Sequence, residues 1–202
     1  MTNSKQLRTL VLIKHDGVAR GLIGEIINRF DRVGIKLIGF KLVQATREQA
    51  DMHYVTNDEN LTRYGNTTLR DYASKGIDPI ARLGSDDPLV IGKMIKKWNI
   101  DLLTMGPILA MVYEGPEAIK IVRKIVGSTI PAEALPGTIR GDFTWDNADL
   151  ANDQERSFYN LVHASGNPEE AQYEINLWFK PDEILDNYEM VHHKAMGLYP
   201  QK

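Results

Sequence analysis

The chain has 202 residues, 43% of them hydrophobic and 25% charged, with 24 Lys and Arg against 27 Asp and Glu for a formal net charge of −3. That is enough chain for one sizeable core, and the slight acidity supplies no global basic field for nucleic acid or an anionic membrane. There is no cysteine, which excludes disulfides, thiolate metal sites and cysteine nucleophiles.

Residues 9–14, TLVLIK, read as a short buried strand. The apolar stretch of the opening MTNSKQLRTLVLIKHDG is broken by Lys14 before it could serve as a signal peptide, and no run approaches a membrane span, so a cytoplasmic location is expected. HDGVARG then turns. In LIGEIINRFDRVG, Leu22, Ile23, Ile26, Ile27, Phe30 and Val33 recur at the spacing of one helix face, and Gly34 fits the stop. IKLIGFKLVQA, 35–45, is a second strand, and TREQADMHY a short helix with Thr46 as its N-cap.

Residues 56–104 are least legible. NTTLRDYASKG looks helical, and DDPLVIGKMIKKWN more so, with Asp before Pro88 and then Leu89, Ile91, Met94, Ile95 and Trp98. GPILAMVYEG, 106–115, is a third strand. PEAIKIVRKIVG is a helix turning Ala118, Ile119, Val122, Ile125 and Val126 to the core, and a Pro- and Gly-punctuated loop follows from 127 to about 150. NLVHAS, 160–165, is a fourth strand, and NPEEAQYEINLWF the last strong helix, capped by Asn167 with Pro168 at its first position. The order fits an α+β, ferredoxin-like βαββαβ core, a four-stranded antiparallel sheet with helices on one face. The expected organisation is a single domain over 1–202, with a helical insertion at about 56–104 and an extended loop at about 144–158.

His163 sits inside the fourth strand. Alone it reads as a core or edge histidine with a satisfied hydrogen bond. The next helix has Ala171, Ile175 and Trp178 as its apolar stripe, and Glu174 lies on that stripe. A carboxylate there either reaches solvent at the stripe's edge or needs a partner, and His163 is a candidate partner. A His–Glu pair fixes the tautomer and leaves the other ring nitrogen free to act as a base, bind a metal or attack phosphorus. A metal needs further ligands. No second histidine is close in sequence, and His192 and His193 read as a solvated tail. Attack on phosphorus needs cations: Lys14, Arg123 and Arg140 are available, although each also reads as an ordinary strand-end, helix-end or loop charge. No GxxxxGK[ST] and no GxGxxG is present.

Four collinear segments, RTLVLIKHDGVARGLIGEIINRF, GPILAMVYEG, PGTIRGDF and LVHAS…AQYEINLWF, resemble the nucleoside diphosphate kinases over 8–54 and 105–182, apart from the loop at about 144–158. The resemblance implies a ferredoxin-like fold and transfer of a nucleoside triphosphate's terminal phosphate to a diphosphate, with Mg²⁺ carried on the nucleotide phosphates and no protein metal ligands. It implies two half-reactions through a phosphohistidine at His163, with Glu174 orienting it, Ser165 in support and Tyr54 beside it. Lys14, Arg123, Thr129 and Arg140 would hold the phosphates and Asn160 the sugar. For the aromatic that stacks on the base, Tyr64 is the candidate, with Tyr72 and Trp98 behind it; Trp98 fits a core stripe better. Partners would be nucleoside tri- and diphosphates and further copies of the chain, with no membrane and no nucleic acid.

The departures are His15 for the family's proline in KHDG, Ala164 and Gly166 in HASG, the long 56–104 region and the longer, acidic 144–158 loop. They motivate a rival reading, a nucleotide-binding regulator or scaffold with weakened turnover. A nucleic-acid-binding module is a third reading, disfavoured by net acidity and the lack of an aromatic-rich strand motif.

Overall fold

The computed structural model describes residues 6–199; readings of the first five residues and the last three of the tail lie outside them. Strands β1 (Gln6–Ile13), β2 (Lys36–Val43), β3 (Ile108–Pro116) and β4 (Val162–Ala164) form one sheet in the order β2-β3-β1-β4. Every neighbouring pair is antiparallel. This is the expected ferredoxin-like α+β sheet, with one correction: helices cover both faces.

The reason is legible in β1, where Thr9–Ile13 are buried without interruption. An unbroken apolar run belongs to a strand covered on both sides, and alternation to one covered on a single side. Val11, Ile13, Met111 and Tyr113 face a core shared with α2 (Ile23–Asp31) and α7 (Ala118–Val126). Leu10, Leu12, Ala110 and Val112 face the opposite core, shared with α3 (Arg47–His53), α6 (Pro88–Thr104) and α10 (Pro168–Trp178).

HDGVARG is not a simple turn, for it contains the short helix α1 (His15–Ala19). His15 takes its first position, where a proline would also sit without strain. Its ring fills the space beside Gly106, where an added Cβ would lie 2.3 Å from the imidazole.

The 56–104 region folds as α4 (Asp58–Lys75), α5 (Pro79–Leu83) and α6. Asn57 Oδ1 caps α4 by accepting from Asn60 N at 2.9 Å, and Asp87 Oδ1 caps α6 by accepting from Leu89 N at 2.8 Å. The two long helices cross at backbone contact. A Cβ on Gly65 would fall 1.9 Å from Pro88 O, and one on Gly92 2.1 Å from Leu61 O. Tyr72, Leu83, Ile91 and Trp98 make a third apolar cluster, separate from the two against the sheet.

The loop expected from 127 to about 150 carries two short helices, α8 (Ile139–Phe143) and α9 (Ala148–Asp153), capped by Thr138 and Asn147. Arg140 is therefore a helical residue and not a loop charge. Helix α9 meets the insertion through Lys75–Asp149 at 2.8 Å and Arg82–Asp153 at 2.6 Å.

The tail returns to β2, where Leu185 N donates to Ile38 O at 2.7 Å, and ends in α11 (Val191–Ala195). His193, expected to be solvated, is buried with Nε2 2.8 Å from Gly34 O. The tail packs back on the fold, which its polar sequence hides.

Candidate active site

Three paired residues of β4 set the register of the site: Val11 opposite Ala164, Leu12 opposite His163 and Ile13 opposite Val162. Asn167 then caps α10, its Oδ1 accepting from Glu170 N at 2.8 Å, and the helix runs back beneath the strand. Glu174 is 2% exposed, so the solvent-reaching alternative is excluded. His163 Nε2–H donates to Glu174 Oε1 at 2.7 Å, and Ser165 Oγ donates to Oε2 at 2.6 Å. Ser165 is itself seated by Leu10 N, which donates to its Oγ at 3.1 Å.

With Nε2 committed as a donor, Nδ1 of the neutral ring is the free, unprotonated nitrogen. Burial holds His163 below the ordinary histidine range and pushes the Glu174 carboxyl up. The ring stays uncharged near neutral pH, the state a nitrogen nucleophile needs.

The approach to β4 is strained. Leu161 has φ +67°, and Val162 N donates to Asn160 O at 2.7 Å, closing a γ-turn in the rare left-handed sense. It is pinned by Asp16 Oδ2, which accepts from Leu161 N at 2.9 Å, and by Lys14 N, which donates to Leu161 O at 2.8 Å. The Arg140 guanidinium clamps the same turn. Its Nε donates to Asn160 O at 3.0 Å, Nη2 to Val162 O at 2.5 Å, and Nη1 to Gly127 O and Ser128 O at 2.9 and 3.0 Å. Arginine has five N–H donors. Most of them here serve carbonyl oxygens, so Arg140 is first a structural clamp, with little donor capacity left for a phosphate.

A cleft of 980 Å³ runs from His163 to the insertion. Its lining includes Lys14, Tyr54, Tyr64, Arg123, Thr129, Arg140, Asn160 and Glu174, so eight residues from distant parts of the sequence share one cavity with the histidine. Ser165 lies behind, fully buried. Lys14 is buried, and burial lowers its ammonium to about 8. Burial also pushes the Tyr54 phenol up, keeping it a neutral donor. Asn160 Nδ2 donates to Thr129 O at 2.8 Å, while its buried Oδ1 has no partner among the described residues. Of the three aromatic candidates, Tyr64 is 42% exposed, whereas Tyr72 and Trp98 are packed into the third cluster, Trp98 with one edge on the cleft. Asn147, Asn152 and Arg156 of the 144–158 loop also line the cleft.

Sequence reasoning missed His53. It ends α3 one residue before Tyr54, and its ring lies 4.4 Å from the His163 ring, centroid to centroid, at 80°. The signal was the spacing of Ala50 and His53, which turns both inward. His53, His163 and Glu174 bring ligand atoms within 4.8 Å of one another, so a second histidine absent from the neighbouring sequence is supplied by the fold.

Comparison with known proteins agrees with this geometry. The family model described as nucleoside diphosphate kinase matches residues 7–73 and 92–184. The stretch it passes over, 74–91, holds the end of α4, all of α5 and the start of α6. A nucleoside diphosphate kinase of Pyrobaculum aerophilum is 46% identical over 179 residues, 89% of this chain and 98% of that protein. One from Pyrococcus furiosus is 38% identical over 89% of this chain and 86% of its own. The crystal structure of an NDP kinase from Pyrobaculum aerophilum superposes with a TM-score of 0.87 at 44% identity, over 90% of this chain and all of that one. A transition-state mimic of the Borrelia burgdorferi nucleoside-diphosphate kinase, with bound vanadate and ADP, gives a TM-score of 0.76 at 33% identity, over 94% of this chain and 96% of that one. A half-buried histidine on a buried Glu–Ser pair at the foot of a cationic cleft, and matches along nearly the whole fold, converge on one assignment: this chain belongs to the nucleoside diphosphate kinase family.

Proposed function

We propose that His163 is the phosphate carrier of this enzyme. The activity is transfer of the γ-phosphate of a nucleoside triphosphate to a nucleoside diphosphate, in two half-reactions through a phosphohistidine. The observation that carries the residue assignment is the 2.7 Å bond from Nε2 to Glu174, which leaves Nδ1 free on the cleft side. Nδ1 attacks the γ-phosphorus in line, the bond to the bridging oxygen breaks, and the nucleoside diphosphate leaves. The ring, now phosphorylated on Nδ1, keeps its Nε2–H on Glu174, whose negative charge offsets the positive charge developing on the imidazole. A second diphosphate reverses the step.

Phosphoryl transfer asks the protein for positioning and charge neutralisation. Lys14 and Arg123 supply the cations at the phosphates, Tyr54 and Thr129 supply hydroxyl donors, and Arg140 contributes what remains of its guanidinium. Asn160 presents its unpartnered Oδ1 to the sugar hydroxyls. Tyr64 covers the base. Mg²⁺ would arrive on the nucleotide's phosphates and neutralise charge between them. The donor set fits that mode: both Glu174 oxygens are engaged, and a His–His–Glu group suits softer metals than Mg²⁺.

The chain acts as one domain around this cleft, with 56–104 as its roof and 144–158 as part of its lining. Copies associate through the β2 edge, where Phe40 and Leu42 are 52% and 59% exposed on an edge strand. No helix of the described residues is long and apolar enough to cross a membrane; a cytoplasmic location and the lack of a nucleic-acid partner belong to this reading and do not follow from that.

The test is phosphoenzyme trapping with Mg²⁺ and γ-labelled ATP. Acid-labile, alkali-stable label should appear on wild type, be absent from His163→Ala, and discharge to a different nucleoside diphosphate. Label retained on the alanine variant would overturn the assignment.

A further inference from the structure

One buried ring beside the nucleophile has no task in this mechanism. The His53 side chain is fully buried, and Trp178 Nε1 lies 3.2 Å from its Nδ1. An indole nitrogen only donates. His53 Nδ1 must therefore be the acceptor, and the neutral ring carries its proton on Nε2. Burial lowers the ring to about 3, so it stays neutral.

The tautomer matters because of what stands on the other side. His53 Nδ1 is also 3.6 Å from Glu174 Oε1, the oxygen that takes the Nε2–H of His163. With its proton on Nδ1, His53 would turn a second donor toward that oxygen and compete with His163 for it. It would also leave His53 Nε2, buried with no partner among the described residues, as a bare acceptor and not an unpaired donor. The fold holds the tautomer that leaves a donor unpaired, which ordinarily costs free energy, and the one group that enforces it is the indole N–H.

We infer that Trp178 and His53 are positioning residues that reserve Glu174 Oε1 for His163. The indole locks His53 in its Nε2–H form, and the edge-to-face contact of the two imidazoles, 4.4 Å between centroids, holds the His163 ring with Nε2 on the carboxylate. The inference rests on the reading of His163 as phosphate carrier.

The test is ¹⁵N NMR of histidine-labelled protein, with kinetics beside it. In wild type, His53 should be protonated on Nε2 and bare on Nδ1; the opposite tautomer overturns the inference without any variant. Trp178→Phe keeps a ring in the core and removes the N–H. In that variant the His53 proton should move to Nδ1. The rate of His163 phosphorylation should fall about tenfold, the scale of one misdirected hydrogen bond. The KM for both nucleotides should stay within about twofold, since no substrate contact is touched. Adding His53→Phe should recover most of the loss by removing the competitor. Unchanged tautomers in Trp178→Phe, or a loss that the second substitution does not recover, would overturn the lock. The phosphoenzyme label is followed separately on wild type. If it is missing, the carrier assignment fails, while the tautomers still report whether the lock exists.

Discussion

At the β4 end of the cleft, Glu174 is buried and its two oxygens take hydrogen bonds of 2.7 and 2.6 Å from His163 and Ser165. At the roof end, Lys75 and Asp149 meet at 2.8 Å, with side chains 38% and 48% exposed. The distances are alike and the consequences are not. In a buried network each lost partner leaves a group that water cannot reach. An exposed ion pair is screened, and water replaces it at little cost. One end of the cleft is fixed by chemistry that resists change, and the other is held by backbone packing of α4 on α6, with surface charges as trim.

Ser165→Ala is the severest way to sharpen that contrast. It leaves Leu10 N and Glu174 Oε2 without partners, each worth about 1–3 kcal/mol when buried. Thermal unfolding should show the loss, and the phosphorylation rate should fall with it because Glu174 is freed to turn away from His163. A variant as stable and as fast as wild type would break the contrast at its strong end.

Gly65→Ala probes the roof. The added methyl would have to sit 1.9 Å from Pro88 O, which is backbone and cannot swing aside. Prising the helices apart should cost about 1–3 kcal/mol. It should raise the KM for nucleotides, because Tyr64 rides on α4, while the phosphorylation rate at saturation changes little. A matched loss of kcat would mean that the two ends are mechanically coupled.

Lys75→Ala should have the smallest effect. The melting temperature should stay close to that of wild type, and the KM should become less sensitive to added salt, because the Lys75 pairs with Asp71 and Asp149 are the screened contacts of the rim. A large loss of stability would show that the bridge between insertion and loop matters more than its exposure implies.

The same division governs what could be read from the sequence. Strands β1 to β3 and helices α2, α7 and α10 carry long, regular apolar patterns or clear caps, so their place in the chain was legible. Their layering was harder: the unbroken apolar run of β1 already meant two covered faces, and only the assembled sheet makes that plain. Helix α4 buries only Leu61, Gly65 and Tyr72. Its apolar stripe is thin because its partner is another helix met at glycine contact. Helices α8 and α9 have five and six residues, too few for a period to show. His163 and Glu174 could be paired from helical spacing because a short turn joins them. His53 could not, since it reaches the pair through the tertiary packing of α3 against Trp178.

Arg140 has a further consequence. Its guanidinium binds carbonyls at 127 and 128, where α7 ends, and at 160 and 162, where the chain re-enters the sheet. The whole excursion between those points begins and ends on one side chain, a reversible staple in a protein that has no cysteine to make a permanent one. Once the base of a loop is closed, lengthening it adds only slowly to its entropy cost. The 144–158 segment can therefore grow or shrink and acquire its own helix without moving Asn160 or His163. A lysine in place of Arg140, with its donors on a single nitrogen and no planar fork, could not hold both ends of that loop at once.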